Sequence, residues 1–292
     1  MELAAAGRFA PSPSADLHLG NLRTALLAWL FARSTGRRFL LRVEDLDDRA
    51  SSDVAQRQLD DLAALGLTWD EPPEHQSAHL DRYRTVIDGL TARGLTFECF
   101  CSRRDILNAP RAPHAPEGAY PGTCRELTTA ERTAWLETGR PPALRLRSEV
   151  TEFTVSDVLH GEYTGVVDDF VLRRGDAVPA YNLAVVVDDA AHGIDQVVRG
   201  DDLLSSSPRQ AYLGSLLGYP TPSYAHVPLV LNADGKRLAK RDGAVSLREL
   251  GVDRAMALIT ESLGWPATNL KDLLAQFNPQ ELPDRPWIHR PE

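Results

Sequence analysis

The start of the chain constrains the fold most, because a short apolar run ends on prolines and a long helical pattern follows almost at once. Residues 8–10 predict a strand, and residues 21–33 place apolar side chains on one broad helical face. The junction at 16–21 reads Asp-Leu-His-Leu-Gly-Asn. Because a helix N-terminus presents unpaired N–H groups, this junction predicts either a phosphate-binding site or a structural turn. In the first case His18 would donate and Gly20 would allow close approach.

Strand and helix patterns continue to alternate, which predicts an α/β fold around a parallel sheet. Residues 38–45 predict a strand, and residues 51–65 and 80–93 predict helices. The apolar run at 181–189 is typical of a central parallel strand. The second half of the sheet is predicted to start at 170–176. The later predicted elements are strands at 197–200 and 226–231, helices at 207–217, 246–250 and 252–264, and an irregular tail from 279.

The pattern changes between residues 96 and 172, which we interpret as an insertion between two halves of the sheet. Residues 108–122 hold four prolines and two glycines, which a sheet interior would not contain. Short strands are predicted at 144–147, 153–155 and 162–167. The expected domains are therefore a catalytic domain in two halves (1–95 and 173–235), the insertion (96–172) and a helical region (236–292).

The three cysteines fall within this insertion. Cys99 and Cys101 would share one face of a strand and could hold one ion together with Cys124. A tetrahedral zinc site needs a fourth ligand, and the frequency of ligands in proteins favours histidine. The alternative is three ordinary buried cysteines. The candidates for the fourth ligand are His114, Tyr120, Glu117 and Asp105.

Two further groups of polar residues could either bind a ligand or be ordinary solvated charges. The loop at 235–242 carries two of the three lysines of the chain, Lys236 and Lys240, beside two arginines, and it suits a polyanion. It could equally be a solvated charged loop. Arg8, Glu44, Tyr181 and Arg199 are predicted at strand ends, where they would suit a zwitterion with an extra carboxylate, or they are scattered charges.

The bulk properties exclude some classes of protein. A net charge of −9 argues against a nucleic-acid coat, although a local basic face can still bind phosphate. No apolar run is long enough to span a membrane, and the N-terminus is unlike a signal peptide. We therefore expect a cytoplasmic protein without membrane contact, and a monomer because nothing indicates an oligomer.

Taken together, these motifs resemble those of class I aminoacyl-tRNA synthetases. Residues 16–21 resemble the HIGH motif, and 237–241 (Arg-Leu-Ala-Lys-Arg) resemble the KMSKS loop. Residues 7–13 (Gly-Arg-Phe-Ala-Pro-Ser-Pro) are similar to the glutamyl and glutaminyl branch. So are the segments at 42–45, 181–189 and 198–203. The resemblance implies a Rossmann-like catalytic domain with a zinc-containing, acceptor-type insertion. It also implies a helical stem-contact-like region after the loop, without an anticodon-binding domain.

In its short length and its cysteine cluster, the chain resembles the family of glutamyl-queuosine tRNA(Asp) synthetases. That resemblance implies activation of L-glutamate with ATP and Mg²⁺ without tRNA, and transfer to the queuosine base in the anticodon of tRNA(Asp). It also implies zinc ligands at Cys99, Cys101, Tyr120 and Cys124, in place of His114.

The same resemblance assigns roles to residues of the predicted pocket. Arg199 and Arg8 would hold the side-chain carboxylate of glutamate, and Glu44 its ammonium group. His18 and Lys240 would bind the ATP phosphates and act as the catalytic residues. The full implied sets are Arg8, Phe9, Ala10, Pro11, Ser12, Glu44, Tyr181 and Arg199 for glutamate, and His18, Gly20, Asn21 and Lys240 for ATP.

The chain departs from the family motifs in two places. Asn21 stands where the HIGH motif ends in histidine, which predicts a weaker phosphate or ribose contact. Arg237 and Ala239 replace the first lysine and the serine of KMSKS, while Lys240 is kept. Three alternative functions remain open: a truncated glutamyl-tRNA synthetase that charges a tRNA 3′ end, a small-molecule nucleotidylyltransferase, and a zinc-bound RNA-binding module.

Overall fold

The computed structural model describes residues 4–109, 119–238, 245–265, 267 and 269–290. In chain order, the strands are β1 (Ala6–Phe9), β2 (Arg38–Val43), β3 (Glu74–His75), β4 (Thr96–Cys99), β5 (Ala143–Leu146), β6 (Glu152–Asp157), β7 (Gly161–Val166), β8 (Val171–Arg173), β9 (Ile194–Gly200), β10 (Ser223–Val227), β11 (Val230–Leu231) and β12 (Trp287–Ile288). The helices are α1 (Leu19–Ser34), α2 (Ser52–Ala64), α3 (Leu80–Ala92), α4 (Arg103–Asn108), α5 (Thr129–Glu137), α6 (Tyr181–Ala191), α7 (Ser207–Leu217), α8 (Leu247–Leu250), α9 (Val252–Leu263) and α10 (Leu270–Gln276).

A seven-stranded sheet organises the chain in the order β3-β2-β1-β9-β10-β6-β7. Strands β2, β1, β9 and β10 run parallel, and Arg8 of β1 pairs with Leu40 on one side and Val197 on the other. Because parallel strands end at the same edge, the residues that follow β1, β2 and β9 are brought together there. The predicted parallel α/β fold is confirmed.

Helix α1 packs its whole length into the main core, together with the helices that follow residue 245. Leu22, Leu26 and Leu30 are at most 1% exposed and belong to one cluster with residues of α9. The buried Arg23 donates to the Ser262 hydroxyl at 2.9 Å and to the Pro228 carbonyl at 2.6 Å. These contacts tie the start of α1 to helix α9 and to the turn between β10 and β11.

The predicted helices are confirmed where local end signals are strong. Helix α7 has Pro208 in its first turn, and Gly218 follows its end with a φ of 72°, which favours glycine. Helices α2, α3, α8 and α9 also lie where the sequence predicts them. Among the described residues, no helix combines the length and hydropathy needed to cross a membrane.

The prediction of a strand at 181–189 is wrong, because these residues form helix α6. Leu183, Ala184 and Val187 are buried in a second core cluster that includes residues of α3 and α7. A short, continuous apolar run does not distinguish a buried strand from a buried helix, and tertiary packing decided between them. Tyr181 therefore lies at the start of a helix and not at a strand end.

Three other segments depart from the prediction. Strands β6 and β7 fall in the predicted insertion but extend the large sheet, because β6 pairs with β10 through Asp157 and Tyr224. Strand β8 joins β4 and β5 in a small sheet of its own instead of opening the second half of the large one. The strand predicted at 226–231 is divided into β10 and β11, and β11 pairs with β12 in the tail that was expected to be irregular.

Candidate active site

A pocket of about 610 Å³ opens at the carboxyl edge of the large sheet, beside the N-terminus of α1. Its walls come from the ends of β1, β2 and β9 and from the first residues of α1 and α6. Every described residue that the sequence assigned to glutamate or ATP lines it. These residues are Arg8, Phe9, Ala10, Pro11, Ser12, His18, Gly20, Asn21, Glu44, Tyr181 and Arg199. Lys240 lies outside the described residues.

His18 caps helix α1 with one ring nitrogen. Its Nδ1 accepts hydrogen bonds from the backbone N–H groups of Gly20 at 3.1 Å and Asn21 at 3.3 Å. Burial, together with the nearby Arg237, lowers the pKa of His18 below its ordinary value. In the neutral ring an accepting Nδ1 leaves the proton on Nε2, which is the form that can donate to a phosphate oxygen.

Asn21 has a structural partner that the sequence did not reveal. Its Oδ1 accepts from the backbone N–H of His18 at 3.2 Å, which closes a reciprocal capping box at the start of α1. The departure from the HIGH motif at this position therefore has a local structural purpose. The contact of Asn21 with ATP stays a prediction.

The segments on either side of 239–244 lie at the pocket. Arg237 lines the pocket and forms an ion pair with Asp202. After the undescribed residues, the Val245 carbonyl accepts from the Leu19 N–H at 2.7 Å, and Ser246 bridges to His18. The described residues on either side of 239–244 thus lie beside the HIGH-like segment, although these parts of the chain are more than 200 residues apart.

Arg8 and Glu44 belong to a buried network of charges. Asp189 of α6 accepts from Arg8 Nε at 3.0 Å and from Arg42 Nη1 at 2.7 Å, and Arg42 Nη2 also contacts Glu44 at 3.3 Å. Burial raises the pKa of Asp189, but Arg8 and Arg42 outweigh it and hold that pKa below its ordinary value. Burial raises the pKa of Glu44, against the opposing effect of Arg42 and Arg8. Arg8 is therefore oriented by Asp189, with its Nη groups left for a ligand.

Arg199 is held by three neighbours. Its Nε donates to His226 Nε2 at 3.0 Å, its Nη2 to the Ser207 hydroxyl at 2.7 Å, and its Nη1 to the Tyr181 hydroxyl at 3.4 Å. A guanidinium has five N–H donors, so one remains on each Nη atom. Such a pair can bind a carboxylate with two hydrogen bonds.

The cysteine cluster lies at the end of the small sheet. Cys99 is the last residue of β4, and Cys101 lies beyond the strand instead of on one strand face with Cys99 as predicted. The sulfur atoms of Cys99, Cys101 and Cys124 all lie within 4.8 Å of one another. The Tyr120 hydroxyl is 3.4 Å from Cys99 Sγ and accepts from the Cys124 N–H at 2.7 Å. The three thiols could hold a metal ion, and the phenol hydroxyl lies beside them.

Of the other candidates for the fourth metal ligand, only Asp105 lies among the described residues. The Asp105 carboxylate accepts from the Ser102 N–H at 2.7 Å and caps α4. It is therefore engaged elsewhere. His114 and Glu117 lie outside the described residues.

A protein-family model for the catalytic domain of class I tRNA synthetases (E and Q) matches residues 5–282. The chain belongs to this family. A glutamyl-Q tRNA(Asp) synthetase from Nocardia farcinica is 63% identical to this synthetase, over 97% of this chain and 92% of the relative. A second protein of that name, from Cutibacterium acnes, is 52% identical over 90% of this chain and 77% of the relative.

Longer members of the family are also similar to this synthetase. A glutamate–tRNA ligase from Nitrosospira multiformis is 40% identical, over 97% of this chain but 65% of the ligase. The crystal structure of a glutamate tRNA ligase from Elizabethkingia meningosepticum, in complex with its amino acid, superposes with a TM-score of 0.81 at 26% identity. It covers 98% of this chain and 67% of that chain.

The sequence missed the residues that orient the arginines of this synthetase. Asp189 lies in the apolar run that predicted a strand, and a buried acid in such a run needs a charged partner, which is the signal that could have revealed it. Asp157 and His226 lie in separate strands and carry no local signal. His226 pairs with Arg199 between β10 and β9, and Asp157 reaches His226 through the pairing of β6 with β10.

Proposed function

We propose that this protein activates L-glutamate with ATP without tRNA, and transfers the glutamyl group to the queuosine base of tRNA(Asp). The observation that carries the proposal is the convergence of Arg8, Glu44 and Arg199 in one pocket with His18. Five of the relatives, at 45–63% identity, bear the name glutamyl-Q tRNA(Asp) synthetase.

The charges of the pocket suit glutamate. Arg199 and Arg8 would bind the side-chain carboxylate, because each retains N–H donors beyond its protein partners. Glu44 would accept from the ammonium group, and Tyr181 would close this side of the pocket. The segment from Phe9 to Ser12 would line the backbone of the amino acid. A neutral glutamine amide would gain less from two guanidinium groups than a carboxylate does.

The activation step would be in-line attack of the glutamate α-carboxylate on the α-phosphate of ATP. The new bond joins a carboxylate oxygen to phosphorus, and pyrophosphate leaves with the electron pair of the broken P–O bond. This chemistry needs positioning and neutralised charge rather than a protein base. His18 would donate from Nε2, the N–H groups near Gly20 and Asn21 would face phosphate oxygens, and Lys240 would hold the leaving pyrophosphate. Mg²⁺ would accompany ATP and neutralise part of its charge.

We also propose zinc as the ion of the cysteine cluster, with Tyr120 as the fourth ligand. Thiolate ligands favour zinc among the common divalent ions, and the Tyr120 hydroxyl is already beside Cys99 and Cys124. The ion would act structurally, because the cluster sits on the small sheet and supplies no residue to the pocket. A monomeric state and a cytoplasmic location are further proposals that rest on the sequence.

Charging of a tRNA 3′ end is the second candidate, because glutamate–tRNA ligases at 40–41% identity are also relatives. The chain spans only 56–65% of those ligases but 92% of the Nocardia farcinica protein. The higher identity to the proteins named glutamyl-Q tRNA(Asp) synthetase, 45–63%, favours the queuosine acceptor.

Two linked assays test the proposal. The first measures pyrophosphate exchange without tRNA, with glutamate, glutamine or aspartate as the amino acid, and we expect exchange with glutamate. The second measures transfer of labelled glutamate to tRNA prepared with and without queuosine. Transfer that requires queuosine supports the proposal. Transfer to the 3′ end of queuosine-free tRNA contradicts it and favours the second candidate.

A further inference from the structure

A serine, a histidine and an aspartate form a chain of contacts directly behind Arg199. The Ser207 hydroxyl lies 3.1 Å from His226 Nε2, and His226 Nδ1 lies 2.6 Å from Asp157 Oδ2. This order of groups is that of a hydrolase triad. These three residues could therefore form a second nucleophilic centre, or they could hold Arg199 in place.

The geometry rules out a nucleophile in this arrangement. Ser207 and His226 are completely buried, and Asp157 is 3% exposed. None of the three lines the pocket. Both acceptor atoms that face Arg199 are occupied, because Nε donates to His226 Nε2 and Nη2 donates to Ser207 Oγ. A substrate carbonyl has no path to the serine.

Asp157 determines which nitrogen of His226 carries the proton. Its Oδ2 accepts from the backbone N–H of His226 at 3.0 Å as well as from the ring, and its Oδ1 accepts from the N–H groups of Leu159 at 2.9 Å and His160 at 3.0 Å. With both oxygens accepting, Nδ1 must be the protonated ring atom. Nε2 is left with a lone pair aimed at the Nε–H of Arg199.

The charge state of the ring agrees with this assignment. Burial lowers the pKa of His226, and Arg199 lowers it further against the opposing effect of Asp157. A protonated ring would turn an N–H toward the N–H of Arg199. The neutral ring instead supplies the acceptor that the guanidinium needs.

We infer that His226 is a positioning residue for the amino-acid substrate. Together with Asp157 and Ser207, it fixes the rotation of the Arg199 guanidinium so that one free N–H of each Nη atom is available to the same carboxylate. The inference rests on the proposed function, since it takes Arg199 as the residue that binds glutamate. Losing the acceptor would let the guanidinium turn about its side chain and would weaken that two-point contact.

Two substitutions at one position separate positioning from packing. In His226→Asn the amide can still donate to Asp157, but it is too short to accept from Arg199. In His226→Gln the amide oxygen can reach the place of Nε2. Pyrophosphate exchange is measured with glutamate and ATP varied in turn, glutamate binding is measured by calorimetry, and thermal unfolding monitors the fold.

We expect His226→Asn to raise the KM and Kd for glutamate about tenfold, since a buried donor loses its partner. The KM for ATP and kcat at saturating glutamate should change less than about twofold, and His226→Gln should recover most of the lost affinity. Equal effects of the two substitutions, or parallel changes in the KM for ATP, overturn the inference. Ser207→Ala removes the other acceptor and repeats the test if His226→Asn does not fold.

Two control variants distinguish a loss of stability, a failure of the positioning role and a failure of the proposed function. Ile87→Val, in the core cluster around α6, reports what a modest loss of stability does by itself to the KM for glutamate. Arg199→Ala tests the proposed function, because it must weaken glutamate binding whatever His226 does. Weakening in Arg199→Ala without any in His226→Asn or Ser207→Ala refutes the positioning role alone. No weakening in Arg199→Ala refutes the glutamate assignment of Arg199.

Discussion

The Nε of Arg8, at the end of β1, lies 3.0 Å from the Oδ1 of Asp189, in helix α6 181 residues further along the chain. The same carboxylate binds Arg42 at 2.7 Å. The buried Asp189 thus orients Arg8 in the pocket and neutralises the charge of Arg42 beside Glu44. Asp189 therefore couples the stability of the fold to the shape of the proposed glutamate site.

Asp189→Asn should lower the free energy of unfolding by about 3 kcal/mol, because it leaves two buried guanidinium groups short of a counter-charge. The KM for glutamate should rise, since Arg8 loses the partner that orients it. Denaturant unfolding and pyrophosphate exchange measure the two effects. Asp81→Asn is the matched control, because its pair with Arg84 is largely exposed and should contribute less than about 1 kcal/mol. Equal losses in the two variants would contradict the role given to Asp189.

His18→Asn should separate capping from catalysis. Asparagine is among the preferred N-cap residues, so the free energy of unfolding should stay within about 1 kcal/mol of the parent. It has no donor at the place of Nε2, so pyrophosphate exchange should fall about a hundredfold. His18→Ala should lose both properties. Normal exchange in a folded His18→Asn protein would remove His18 from the catalytic residues.

Lys240→Ala should reduce the rate of pyrophosphate exchange about a hundredfold with little change in thermal stability, because the lysine is proposed to act on the leaving pyrophosphate. The KM for glutamate should change little. Lys271→Ala is the matched control, since Lys271 is an exposed lysine of α10. A loss of the same size in both variants would point to a general effect of charge.

Metal analysis should find about one zinc ion per chain, and Cys124→Ser should abolish it. Loss of the ion should lower the Tm by more than about 5 °C, because the cluster holds together a small sheet with a limited core of its own. The KM for glutamate should stay within about twofold, because no ligand of the cluster reaches the pocket. Tyr120→Phe should weaken zinc retention in the presence of a chelator, and Tyr163→Phe on β7 should not. Full retention in Tyr120→Phe would exclude tyrosine as the fourth ligand.

The sequence predicted most of the site because the site is built from local motifs. Arg8 to Ser12, His18 to Asn21 and Glu44 each follow a recognisable strand or open a helix, and all of these described residues line one pocket. Helix α7 was predictable for a similar reason, since its proline and its final glycine signal the two ends. Asn21 shows the limit of a motif comparison. Its difference from the motif predicts a weaker phosphate or ribose contact, which stays a prediction, and the structure shows in addition that Asn21 is a capping partner for His18.

By itself the sequence determined the α/β class, most of the helices and eleven of the described residues that line the pocket, because these depend on periodicity, turn chemistry and short motifs. The tertiary structure alone decided that 181–191 is a helix, that β6 and β7 extend the large sheet, and which acids stand behind Arg8 and Arg199. The physical reason is distance along the chain. Asp157 meets His226 across 69 residues, and Asp189 meets Arg8 across 181. Only the packing of the whole sheet brings such pairs close enough for a hydrogen bond.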